Sequence, residues 1–242
     1  MKRLLYIFLS IALLASCQQE QMTPASGEAV LMLDLQRMGR PTMEVTRAVD
    51  EDLTLDIFDA EGNLFRHYDA GSVPQKIVLE PGTFTIRAYT DNQTTWAEAN
   101  GGRGEACYYA EATTELEYDM VKRLQMHVPM TNYAVGLQLP ELWDNLFKSY
   151  VFTLKSGSRT TTIKQGEKAY FSVADGGFSY ALSATNTDNR TSQHSAIPYP
   201  DVETGKLFTI RYNYDSDATQ GGVEIVITDD METNDSDVNL NG

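Results

Sequence analysis

The sequence predicts an all-β protein of two tandem β-sandwich domains, immunoglobulin- or transthyretin-like, with one short helix. Three observations carry this expectation. Apolar and polar residues alternate at period two in short runs along most of the chain. Clusters of Gly, Pro, Asn and Asp punctuate those runs. Only one stretch, residues 141–149, reads as a helix, so crossover helices are missing and a doubly wound α/β fold is excluded.

The chain opens with MKRLLYIFLSIALLAS. Lys2 and Arg3 form a positive start, residues 4–14 are apolar apart from Ser10, and small residues lead into Cys17. This is the plan of a secretory signal peptide over residues 1–16, and its apolar run is too short to span a bilayer. Leu14-Ala15-Ser16-Cys17 resembles the lipobox of bacterial lipoproteins. The resemblance implies that Cys17 carries a diacylglyceryl group and, after cleavage, usually an acylated amine. Two or three acyl chains give stable anchoring, where one binds only marginally. Residues 17–27 then form the lipidated cysteine and a flexible tether, because QQEQMTPASG has no apolar period. Gln18 replaces the aspartate that retains some lipoproteins at the inner membrane, which favours the outer membrane and a cell-surface location.

Strand signals follow in order. Leu31, Leu33 and Leu35 alternate with Met32 and Asp34, and Leu53, Leu55 and Ile57 with Thr54, Asp56 and Phe58. Asp59-Ala60-Glu61-Gly62-Asn63 is a turn that returns the chain through residues 64–68. Residues 77–79 precede the turn Glu80-Pro81-Gly82, and Phe84, Ile86 and Ala88 share the next face. Tyr108, Ala110, Ala112, Thr114, Leu116 and Tyr118 form another alternating set, as do Leu124, Met126, Val128 and Met130. These runs define an N-terminal sandwich over residues 28–131.

A C-terminal sandwich is expected over residues 132–230. Val135, Leu137 and Leu139 alternate, and Pro140 then opens the helix, with Glu141 and Lys148 placed to suit its dipole. Leu142, Leu146 and Trp143 are its inward candidates. Strands resume at Tyr150, Phe152 and Leu154, at Phe178, Tyr180 and Leu182, at Phe208, Ile210, Tyr212 and Tyr214, and at Val223, Ile225 and Ile227. Residues 231–242 are polar and acidic, the composition of a disordered tail.

Several segments carry a family resemblance. They are TRAVDEDLTLDIFDAEGNLF, a loop with Ser72-Val73-Pro74, IVLEPGTFTIRAY, and ACYYAEATTELEYDMVKRLQMHVPMTNYAVGLQLPELWDNLFKSYVFTL. Together they resemble an uncharacterised domain family of Bacteroidales surface lipoproteins, relatives of the fimbrillin-type β-sandwiches, over roughly residues 28–230. The resemblance implies two sandwiches and no catalytic motif. Ala106-Cys107-Tyr108-Tyr109 departs from the family pattern, which has a proline there.

Charge narrows the partners. The chain carries −15, and losing Lys2 and Arg3 with the leader makes it −17. That repels nucleic acid and anionic lipid surfaces and favours solubility. With Cys17 lipidated, Cys107 is left alone and no intramolecular disulfide forms. No HExxH, CxxC, phosphate-binding or GxSxG motif is present, and His67, His127 and His194 are widely separated. The expectation is therefore a non-enzyme, with no catalytic residue, no metal ligand and no cofactor. Asp237-Val238-Asn239-Leu240-Asn241-Gly242 matches only the first half of a calcium loop. Two long loops, residues 91–104 with Trp96 and residues 186–204 with Tyr199, are the expected contact sites for a protein or glycan partner. Arg47 resembles a processing site of some fimbrillins and is read as an ordinary loop residue.

Overall fold

The computed structural model describes residues 26–38 and 52–212, with backbone alone at 194 and 195. Cys17, Arg47, the expected strand at 223–227 and the acidic tail lie outside the described residues. The described chain is all-β with three helical turns, one of them a 3-10 turn at Val173–Asp175.

Seven strands build the first half: β1 (Ala29–Arg37), β2 (Thr54–Phe58), β3 (Leu64–Tyr68), β4 (Lys76–Leu79), β5 (Gly82–Tyr89), β6 (Tyr109–Leu116) and β7 (Val121–Val128). They form a three-stranded sheet in the order β4-β1-β7 and a four-stranded sheet in the order β3-β2-β5-β6. Alternation along each strand sends every second side chain inward. Leu31 and Leu35 from one sheet thus meet Leu55, Ile57 and Ile86 from the other in one buried cluster. Burying each such side chain contributes about 1.5–3 kcal/mol. The β2–β3 turn closes as its residues dictate: Asn63 N–H donates to the Asp59 carboxylate at 2.7 Å, and Gly62 adopts φ +82°.

The second half repeats this plan. Its strands are β8 (Tyr133–Gln138), β9 (Phe147–Ser156), β10 (Arg159–Ile163), β11 (Lys168–Phe171), β12 (Phe178–Asn186), β13 (Thr191–Tyr199) and β14 (Leu207–Arg211). The sheets run β11-β8-β14 and β10-β9-β12-β13, so each strand takes the place of the one seven earlier. Even the exception is shared: the first and last strands of each half, β1 with β7 and β8 with β14, pair in parallel. Tyr133, Phe152, Phe171 and Tyr180 fill this second core.

The structure departs from expectation at four points. The helix expected over 141–149 is a single turn, α2 (Trp143–Leu146), and β9 begins directly after it. Phe147 and Ser149 pair with Asn186 and Thr185, and this ladder supplies backbone partners that a marginal nine-residue helix could not hold. Trp143 turns inward and stacks on Phe147 at 4.1 Å, whereas Leu142 is exposed. The expected loop 186–204 is largely strand: Asn189 takes a positive φ at a tight turn, and β13 returns along β12. Tyr118, expected on an inward face, lies exposed beyond the end of β6. Finally, β10 and β11 were not anticipated, because RTTTI and KAYF are short and polar-flanked.

Candidate functional site

Trp96 lies in the connection between β5 and β6, which contains the helical turn α1 (Ala99–Gly102). Its own side chains seal this segment: Asn92 donates to the Ala106 carbonyl at 2.9 Å and Gln93 to the Tyr108 carbonyl at 2.7 Å. Glu98, Asn100 and Gly101 stay exposed, while Trp96 and Ala97 are half-buried. Arg159 of β10 reaches across from the second half and donates to the carbonyls of Ala97 (2.8 Å) and Gly102 (3.0 Å), as well as to Tyr170 (2.8 Å) on its own side. Its guanidinium sits 5.1 Å from the centre of the Trp96 ring and 5.2 Å from that of Phe171, a cation–π arrangement. Tyr170 N–H donates to the Arg103 carbonyl, and Arg103 pairs with Glu167 at 3.4 Å. Gly104, at φ +79°, lets the chain pass: a Cβ there would stand 3.2–3.3 Å from Trp96 and the Tyr170 carbonyl. The half-buried Trp96 is therefore part of the junction between the halves.

Tyr199 lies at the end of β13 and packs against Phe178 (5.4 Å between ring centres) and Phe208 (5.5 Å). It lines an open groove of about 360 Å³ with Lys155, Gly157, Gly177, Phe178, Pro198 and Pro200. Gly177 is essential to this packing, because a Cβ on it would lie 2.0 Å from the Tyr199 carbonyl oxygen. The β9–β10 hairpin connects the two expected sites: Gly157 lines the groove, and Arg159, two residues on, covers Trp96.

A third constellation went unread in the sequence. Register places His67, Asp56, Arg87 and Glu111 directly opposite one another across β3, β2, β5 and β6. Asp56 binds His67 Nδ1 at 2.6 Å, Asp69 binds Nε2 at 3.0 Å, and Arg87 Nε donates to Glu111 at 2.5 Å. The hydrogen bonds from Asp56 and then Asp69 raise the His67 pKa, whereas Arg87 and then Tyr109 lower that of Glu111. Tyr89 donates to Asp56 at 2.9 Å, and burial, followed by that carboxylate, pushes its phenol up to about 12. Phe58 lies under the Arg87 guanidinium at 4.3 Å.

Cys107 is a buried free thiol and His127 an exposed strand residue, while the side chain of His194 is outside the described residues. Among the described residues no group of His, Cys, Asp and Glu side chains is arranged to hold a metal ion.

The fold defines an all-β protein of two tandem two-sheet units with one shared topology. The chain belongs to the family described as a domain of unknown function, DUF4493, which matches residues 27–241. No curated protein matches it. Among solved structures it is similar to a candidate cell adhesion protein from Bacteroides uniformis, with 12% identity, 84% of this chain and 99% of that one covered, and a TM-score of 0.46. A candidate cell adhesion protein from Bacteroides eggerthii gives 10%, 84%, 92% and 0.45 for the same quantities. Candidate polysaccharide binding proteins from Bacteroides thetaiotaomicron give 8%, 78%, 92% and 0.44.

Proposed function

We propose that this protein is a non-enzymatic cell-envelope lipoprotein, anchored through Cys17 to the outer membrane and exposed at the cell surface. There it acts as an interaction component of the adhesin or fimbria-associated kind. Residues 1–16 are its signal peptide and 17–27 its tether. Residues 28–131 and 132–230 are separate fimbrillin-like domains, and 231–242 is a solvating tail. The observation that carries the binding role is the open groove beside Tyr199, where Phe178 and two prolines leave apolar surface at the end of a rigid sheet. Trp96 contributes by fixing the hairpin that borders the groove. The partner is a protein segment that buries a side chain against Tyr199.

A glycan is the alternative occupant, favoured by Lys155, a cationic donor that lines the same groove as Tyr199. Capture of envelope proteins from intact cells by the full chain, run beside a glycan array, separates the two. The reading expects a specific protein whose capture is lost with Tyr199→Ala. Specific glycan capture with no protein partner reverses the order. Labelling with an alkyne fatty acid tests the anchor: Cys17→Ser abolishes the label, and a persisting label contradicts it.

A further inference from the structure

Viewed from outside, the β3-β2-β5-β6 sheet carries one transverse row of charge: His67, Asp56, Arg87, Glu111. At the usual spacing of strands the row is about 14 Å long. We propose that this face docks a second copy of the chain, face to face, about a two-fold axis parallel to the strands.

The order of charges selects that occupant. Positive, negative, positive and negative read in one direction meet negative, positive, negative and positive from a copy rotated about the strand direction. His67 then faces Glu111 of the other copy, Asp56 faces Arg87, and each contact occurs twice, as an isologous interface requires. Rotation about the row itself would set every charge on its own kind. The side chains of His67, Arg87 and Glu111 are 45%, 41% and 41% exposed, while Asp56, held by His67 and Tyr89, is 15% exposed at the floor of the row. Phe58 and Thr85 flank the row on one side, and Tyr89 and Tyr109 flank it on the other, giving rigid contact area. The charges fix register and the rings supply burial.

The second half removes the simplest competing account, that such a row is needed to hold the sheet together. In the same topology, the corresponding positions across β10, β9 and β12 are Thr162, Thr153 and Ala181. Among the described residues no opposite-charge pair crosses that sheet at these positions, and Lys155, at the next outward position of β9, stands between Thr160 and Ser179. Cross-strand pairs of opposite sign contribute only about 0.2–1 kcal/mol, so the row is a surface feature that the fold does not demand.

The test co-expresses two differently tagged full chains, extracts them in detergent and measures how much of one is captured with the other. Arg87→Glu sets acid against Asp56 of the other copy, and Asp56→Arg sets cation against Arg87. Each variant is expected to capture itself about ten-fold less than the parent does. Mixed together they match, because the new acid at position 87 faces the new arginine at position 56, and capture returns to within about two-fold of the parent. Recovery also shows that both variants fold. Absence of parental capture, capture indifferent to Arg87→Glu, or no recovery in the mixed pair would each overturn the proposal. Because the Tyr199 groove plays no part, this outcome is independent of the function proposed above.

Discussion

The two halves use one strand order but fill and finish it differently. Among the described residues, the buried cluster of the first half is almost wholly aliphatic, with Phe84 and Tyr108 its only rings, whereas the second packs eight aromatic side chains. Outside, the contrast reverses. The four-stranded sheet of the first half shows rings and paired charges, and its counterpart shows Thr153, Thr160, Thr162, Ser179, Ala181, Ser183 and Thr185, with Val151 and the single charge of Lys155 among them. Topology therefore fixes neither the filling nor the surface. Any core of adequate volume satisfies the same two sheets, and the outer face is left free for interaction.

The largest effects should come from breaking either core. Phe152→Ala is expected to cost about 3–5 kcal/mol and Leu55→Ala about 2–5 kcal/mol. Near-ultraviolet circular dichroism during denaturation distinguishes them, since most buried rings sit in the second half. Phe152→Ala should abolish that signal at lower denaturant while the first half stays folded. Simultaneous loss of both halves in each variant would show that the cores are not separate.

The junction comes next. Arg159→Ala removes hydrogen bonds to three carbonyls and the cation over Trp96, at a cost of about 2 kcal/mol. Denaturation should split into two transitions, with Trp96 fluorescence shifting to the red in the first. An unchanged single transition would remove Arg159 from the account. A smaller effect concerns His67. Asp56 and then Asp69 raise its pKa, so the folded state holds the proton more tightly than the unfolded chain. The resulting stabilisation is complete below the unfolded value of about 6.5 and disappears as pH rises through the folded value. His67→Gln should therefore melt below the parent at pH about 5.5 and with it at pH about 9. The reverse order would contradict the assignment. The smallest effect is expected at Val151→Thr on the outer face of the second half, within about 0.5 kcal/mol of the parent by denaturation.

Much of this fold was legible in the sequence, because one-sided burial imprints period two. Leu31-Leu33-Leu35 and Phe84-Ile86-Ala88 gave their strands and faces directly. Edge strands were harder. In β13, TSQHSAIPY is mostly exposed and reads as a loop, since an edge strand has little apolar demand. The helix over 141–149 was overestimated because its local pattern carries no information about the β12 ladder that claims Phe147 and Ser149. For the same reason Trp96 and Tyr199 could be found as aromatics in connecting segments, but not assigned to a junction and a groove. The charge row was invisible. Residues 56, 67, 87 and 111 are far apart in the chain, and only cross-strand register aligns them.

The central claim is that the two matching faces have different roles, with contacts between copies confined to the first half. Hydroxyl-radical footprinting of the full chain, in dense membranes and after dilution into detergent, tests this directly. Phe58, Tyr89 and Tyr109 should be protected in the dense membranes and label freely on dilution, while Val151 labels equally in both. Equal labelling of Phe58, Tyr89 and Tyr109 in both conditions, or protection confined to Val151, would contradict it.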